Sequence, residues 1–125
     1  MRYACLLYFV LAAPAAAAEE MAPRAGDAVL DAPAMRAVVI GQTHEFFDGG
    51  RSFFSISGSY SYTYPDGGVA YGDWQLPAGG ADGVICTEFR HGFARCDRYV
   101  RSGGRLVLIT EDNLRFPVRV NSAAD

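Results

Sequence analysis

Turn signals govern this chain from Thr43 onward. Clusters at Asp48-Gly49-Gly50, Pro65-Asp66-Gly67-Gly68, Pro77 to Gly83, Arg90-His91-Gly92, Ser102-Gly103-Gly104 and Glu111-Asp112-Asn113 divide it into short apolar or aromatic-rich runs. Spacing this regular suits short strands joined by tight turns. The expected fold is mainly all-β, an antiparallel meander of about 7–8 strands forming a small barrel, half-barrel or sandwich. A short helix over about 32–39 should precede it, with Asp31 as N-cap, Pro33 in the first turn and Gly41 at the end.

Two hairpins can be registered residue by residue. With Pro65-Asp66-Gly67 as a three-residue loop, Tyr62 faces Ala70, Tyr60 faces Gly72, Gly58 faces Trp74 and Ile56 faces Leu76. Each bulky side chain then meets a small one on one face, apart from the last pair, as a packed inner layer needs. The other face is mostly polar, with Ser61 opposite Tyr71 and Ser59 opposite Asp73. The pairing of Gly58 with Trp74 favours one long strand over 52–64, bent at Gly58; a turn at Gly58-Ser59 would split it in two. The tyrosines therefore point inward. They form either packed core or the concave wall of an open half-barrel with Trp74 at its base, so Tyr60, Tyr62, Tyr64 and Trp74 are the candidate ligand-binding residues.

With Arg90-His91-Gly92 as the second loop, Cys86 falls opposite Cys96. Opposed residues of antiparallel strands lie roughly 4.5–5.5 Å apart, within disulfide reach. A structural disulfide between them should contribute about 2–3 kcal/mol. On the last strand, Leu114, Phe116, Val118 and Val120 share a face, while Pro117 points to an edge or a bulge.

The N-terminus speaks of compartment. Arg2, an apolar run from about Ala4 to Ala13 and small residues up to Ala18 read as a secretory signal peptide over 1–18. Cys5 lies before the apolar run, at the wrong end for lipid modification. The organisation expected is a signal peptide at 1–18, a flexible leader at 19–31, a single β-domain at 32–120 and a C-terminal tail at 121–125. Cleavage leaves about 107 residues, and loss of Arg2 moves the formal charge from −3 to −4. All eleven basic residues are arginine and none form a basic block, which argues against a nucleic-acid partner. No second hydrophobic segment predicts a membrane span, so a periplasmic or secreted bacterial protein is expected.

Chemistry is sparse. The two histidines, His44 and His91, form no metal-ligand spacing. Ser55, Ser57, Ser59 and Ser61 lie along a strand, with no nucleophile elbow. Glu45, Asp48, Asp73, Glu88 and Asp97 read as solvated surface carboxylates. No catalytic site, metal or cofactor is therefore expected.

Gly41-Gln42-Thr43, the tyrosine strand ending in Pro65-Asp66-Gly67, Gly72-Asp73-Trp74, Cys86 and Cys96 resemble a pattern in small exported proteobacterial proteins of unassigned function. That pattern carries Asn where this chain has Gln42. The resemblance implies a small exported β-domain and transfers no site residue. Gly72-Asp73-Trp74-Gln75-Leu76 followed by Cys86 is also similar to small periplasmic inhibitor barrels, lipocalin-like in shape, that block proteases. There the Gly-x-Trp strand stands near the start of the domain, whereas here it lies well inside. Two functions are thus expected: a non-catalytic binding or envelope-associated protein, meeting a small ligand or an envelope or secreted protein; or an inhibitor of a secreted hydrolase, using 19–31 as its arm.

Overall fold

The computed structural model describes residues 19–123. The expected signal peptide over 1–18 lies outside the described residues. The elements are β1 (Asp27–Val29), α1 (Ala32–Val38), β2 (Gln42–Phe46), β3 (Arg51–Phe54), β4 (Ser59–Thr63), β5 (Val69–Gln75), β6 (Val84–Phe89), β7 (Ala94–Ser102), β8 (Arg105–Ile109) and β9 (Arg115–Ala123). Strands β2 to β9 pair antiparallel in one ring that β7–β8 and β2–β9 close, giving an eight-stranded barrel. Strand β1 is extra: it lies on β7 beyond the end of β6, with Val29 opposite Val100. The all-β expectation holds, and so does the short helix, which Asp31 caps by accepting the Ala34 N–H at 2.9 Å.

Five of the hairpins in the ring repeat one device. In the loops at 47–49, 56–58, 65–67, 90–92 and 111–113, the residue before the loop donates its N–H across to the residue after it, at 2.7–2.9 Å. The last loop residue has positive φ in each: Gly49, Gly58, Gly67, Gly92 and Asn113. A type I turn closed by a left-handed residue matches the right-handed twist of the flanking strands. Glycine takes that conformation at little cost, and asparagine tolerates it.

Both expected registers are present along the strands, but the expected Ile56–Leu76 pair is absent, because Ile56 stands exposed in the turn before β4. Tyr60 faces Gly72 and Tyr62 faces Ala70. Cys86 faces Cys96 across β6–β7, and the two form a disulfide with Cα atoms 4.0 Å apart.

Three expectations are corrected. The run 52–64 is not one bent strand, because Ile56-Ser57-Gly58 is itself a hairpin loop between β3 and β4. Gly58 at φ +100° and a hydroxyl cluster, Ser55 Oγ to Ser57 and Ser59 at 2.6 and 2.8 Å, hold that turn. Strand β9 is no edge: it runs between β2 and β8 and takes in 121–123 of the expected tail. Pro117 is tolerated there because the β2 ladder ends at the Phe46–Val118 pair, so no bond to β2 is lost at 117. A bulge beside it turns Val120 outward opposite Glu45, which breaks the expected apolar face after Val118.

The third correction concerns the segment 19–31, expected as a flexible leader. It is built into the fold. Leu30 is buried in the core, and Met21 packs on a second apolar cluster of Val100, Val107 and Ile109 outside the ring. Arg98 Nη1 donates to the Met21 carbonyl at 2.8 Å, and Asn113 accepts the Ala22 N–H at 2.7 Å. Arg115 grips Asp27 with two hydrogen bonds of 2.7 and 2.9 Å. That guanidinium holds the Asp27 carboxyl well below the usual carboxylate range.

The core fills one end of the barrel. Leu30, Met35 and Val39 plug it from the α1 side, and Gly80 lies close enough that a Cβ there would meet Met35 at 3.4 Å. If Asp27–Arg115 anchors the N-terminal segment, Asp27→Ala should lower the unfolding free energy by about 2–3 kcal/mol. Arg119→Ala, which removes the exposed pair with Glu45, should change it by less than about 1 kcal/mol. Denaturant midpoints of the two variants check this; equal shifts would contradict the anchoring role.

Candidate functional site

The other end of the barrel stays open and keeps a cavity of about 220 Å³. Its apolar wall comes from Tyr60 and Tyr62 of β4, Phe46 of β2, Phe89 of β6, Leu108 of β8 and Phe116 of β9, with Tyr64 at the rim. Ser52 of β3, Arg95 of β7, Asp48 and Thr110 supply its polar groups. An apolar cavity of about 150 Å³ accepts a benzene ring, so this space is of ligand size.

The tyrosine row is graded along the cavity. Tyr60, at its floor, is buried against Phe54 (centroids 4.8 Å apart) and Phe89 (5.6 Å). Burial pushes its phenol well above the ordinary range. Tyr62 is half-buried, and Tyr64 is 49% exposed at the mouth, edge-on to Tyr62 at 4.9 Å. A Cβ at position 50 would fall 2.1 Å from the Tyr62 hydroxyl, so Gly50 is what lets that ring cross the mouth. The row is thus core at Tyr60 and cavity wall at Tyr62 and Tyr64.

Trp74 stands apart from these three. It packs against the core cluster, and its Nε1–H donates to the Ser55 carbonyl at 2.7 Å, next to the β3–β4 turn. It therefore belongs to the plugged end and lines no part of the cavity.

Sequence reasoning missed the polar groups. Arg95, Asp97 and Tyr99 alternate along β7 with their side chains inside the ring, where Asp97 is only 2% exposed. The reading of Asp97 as a surface carboxylate is corrected accordingly. One signal was present in the register: Ile85, a core residue, pairs with Asp97. Arg95 Nε lies 3.2 Å from Asp97 Oδ2, without hydrogen-bond geometry. The Arg95 guanidinium also sits over the Phe89 ring at 5.9 Å from its centroid. Among the described residues, Ser52 Oγ, Arg95 Nε and Asp97 Oδ1 are buried and have no hydrogen-bond partner. Loss of solvent around Asp97, opposed by Arg95, pushes its carboxyl up to about 6.

His44 lies deeper and is fully buried. A carbonyl can only accept, so Nε2–H donates to Val38 O at 3.0 Å, and Nδ1 accepts the Tyr99 hydroxyl proton at 2.9 Å. The histidine thereby ties the barrel interior to the end of α1. Burial pulls its imidazole down to about 4, so it is neutral near neutrality. His91 is exposed in its hairpin loop and stacks on Phe89 at 5.6 Å. Neither histidine hydrogen-bonds a carboxylate among the described residues. No cluster of three or more His, Cys, Asp or Glu able to hold a metal occurs among them. No described helix is long and apolar enough to cross a membrane. Compared with protein-family models, curated proteins and solved structures, the chain matches none.

His44 and Asp97 make opposite contributions to acid stability. A lowered histidine stabilises above its unfolded value of 6.5, and that stability is lost as the pH falls toward 4. A raised carboxyl stabilises below its unfolded value of 3.8, and that stability is lost as the pH rises through about 6. Their effects largely offset between pH 7 and 4.5. Asp97→Asn removes one side of the balance, so the variant should lose about 2–3 kcal/mol over that range while the parent stays nearly flat. Denaturant midpoints at the two pH values measure it, and equal profiles for parent and variant would contradict the assignment.

Proposed function

We propose that the protein is a non-catalytic binding barrel that holds one small, largely apolar ligand in its open end. Export to the periplasm or the surrounding medium is part of the same proposal, and the Cys86–Cys96 disulfide supports it, since such bonds persist in oxidising compartments. The observation that carries the binding reading is the cavity itself. One end of the ring is filled by α1 and its core, while the other keeps about 220 Å³ walled by aromatic rings and holding a few polar groups. A concave apolar pocket with few convergent polar groups is how proteins take small molecules. Tyr62 and Tyr64 are the ligand-facing members of the tyrosine row; Tyr60 forms the floor, and Trp74 supports the turn beneath.

The inhibitor reading required residues 19–31 as a free arm. With 27–29 paired on β7 and Leu30 in the core, that segment is part of the fold, and nothing else in the geometry favours this function.

Saturation-transfer NMR of the protein against a panel of small aromatic and acyl compounds tests the proposal. Thr110→Phe should fill the cavity and abolish transfer while leaving the far-ultraviolet circular dichroism unchanged. Tyr62→Ala should weaken binding by about tenfold with the fold retained. Ligands that bind Thr110→Phe as they bind the parent would sit elsewhere, and the proposal would fail.

A further inference from the structure

We infer that the ligand of the open end is a monoanion, its head held by the Arg95 guanidinium and the Ser52 hydroxyl and its body lying among Tyr60, Tyr62 and Phe89. This rests on the reading of the cavity as a binding site and adds the chemical class of what it takes.

Ser52 and Arg95 both line the cavity, and Ser52 is only 2% exposed. A buried hydroxyl with no partner loses hydrogen-bond energy that a ligand oxygen would restore. Arg95 Nε lies 3.2 Å from its ion-pair partner Asp97 and makes no hydrogen bond among the described residues. The side chain is 34% exposed, and Arg95 lines both this cavity and a surface groove beside the Cys86–Cys96 disulfide. Asp97 does not line the cavity, so an entering molecule meets the cation of this pair. The other charged group there, Asp48, sits at the rim, with Oδ1 accepting the Gly50 N–H at 2.8 Å. Arginine is suited to carboxylate, sulfonate or phosphate oxygens because its fork of donors matches them. The wall behind it is aromatic, so the rest of the ligand is apolar. Given that about 150 Å³ accepts benzene, this cavity fits one ring or a chain of about six to eight carbons.

Calorimetric titration of the protein at pH 7.5 with octanoate, octanol and octylammonium separates charge from chain. Octanoate is expected to bind about tenfold to a hundredfold more tightly than octanol, and octylammonium more weakly than either. Arg95→Met alone would strand a buried carboxylate, so the diagnostic variant is the double change Arg95→Met with Asp97→Asn, which removes both charges. It should bind octanol like the parent and lose the preference for octanoate. Equal binding of octanoate and octanol by the parent would overturn the anion seat and leave the cavity as a binding site. A preference that survives in the double variant would overturn the role of Arg95. Binding of none of the three would overturn both the inference and the reading beneath it.

Discussion

Eight strands closed into a ring enclose an interior that side chains can just fill, or that keeps room for one small ligand. This barrel does both, one at each end. On the α1 side, Met35, Val39, Leu30 and Phe54 pack to exclusion of solvent. The His44 bonds to Tyr99 and Val38 then fix the helix to the interior. Beyond Tyr60 the strands continue, but Ser52, Arg95 and Thr110 stand among the inward rings of Phe46, Tyr62, Phe89 and Phe116. The cavity is the space left between these side chains.

Keeping polar and charged groups inside so small a ring is costly, and the costs act in opposite directions. His44 must stay neutral, whereas Asp97 resists losing its proton, each mainly because water is excluded around it. Both sit within a shell held by ladder hydrogen bonds, one disulfide and the N-terminal segment, which Arg115 and Arg98 hold against β7–β9. Such a shell tolerates a buried ion pair that would not stabilise it in isolation. Of this set, His44 serves the structure, while Ser52 and Arg95 line the cavity and are the groups that the proposed ligand would meet.

Much of the architecture was legible in the sequence because turn chemistry is local. Pro65-Asp66-Gly67 and Arg90-His91-Gly92 fixed two registers, and with them the disulfide and the inward direction of Tyr60 and Tyr62. The turn at Ile56-Ser57-Gly58 was missed because its glycine could equally bend a strand, and serine is common in both settings. Strand β1 was missed because three residues, Asp27–Val29, carry too little pattern to outweigh the Ala- and Pro-rich sequence around them. The candidate site was only half legible. Alternation placed the tyrosines on one face, but Ser52 reaches Tyr62 from β3 through the missed turn at 56–58, and Arg95 comes from β7, whose approach depends on how the ring closes. Trp74 shares that face yet lies at the plugged end, since position along the barrel axis is not encoded in alternation.

Occupancy of the tyrosine-lined end is read most directly from ring-labelled tyrosine. With ¹³C-tyrosine in the protein and octanoate or octanol as titrant, the Tyr62 and Tyr64 ring signals should shift together and saturate. Tyr71, on the outer face, should stay still. Unmoved Tyr62 and Tyr64 signals at saturating ligand, or a Tyr71 shift as large as theirs, would contradict a ligand in the open end of the barrel.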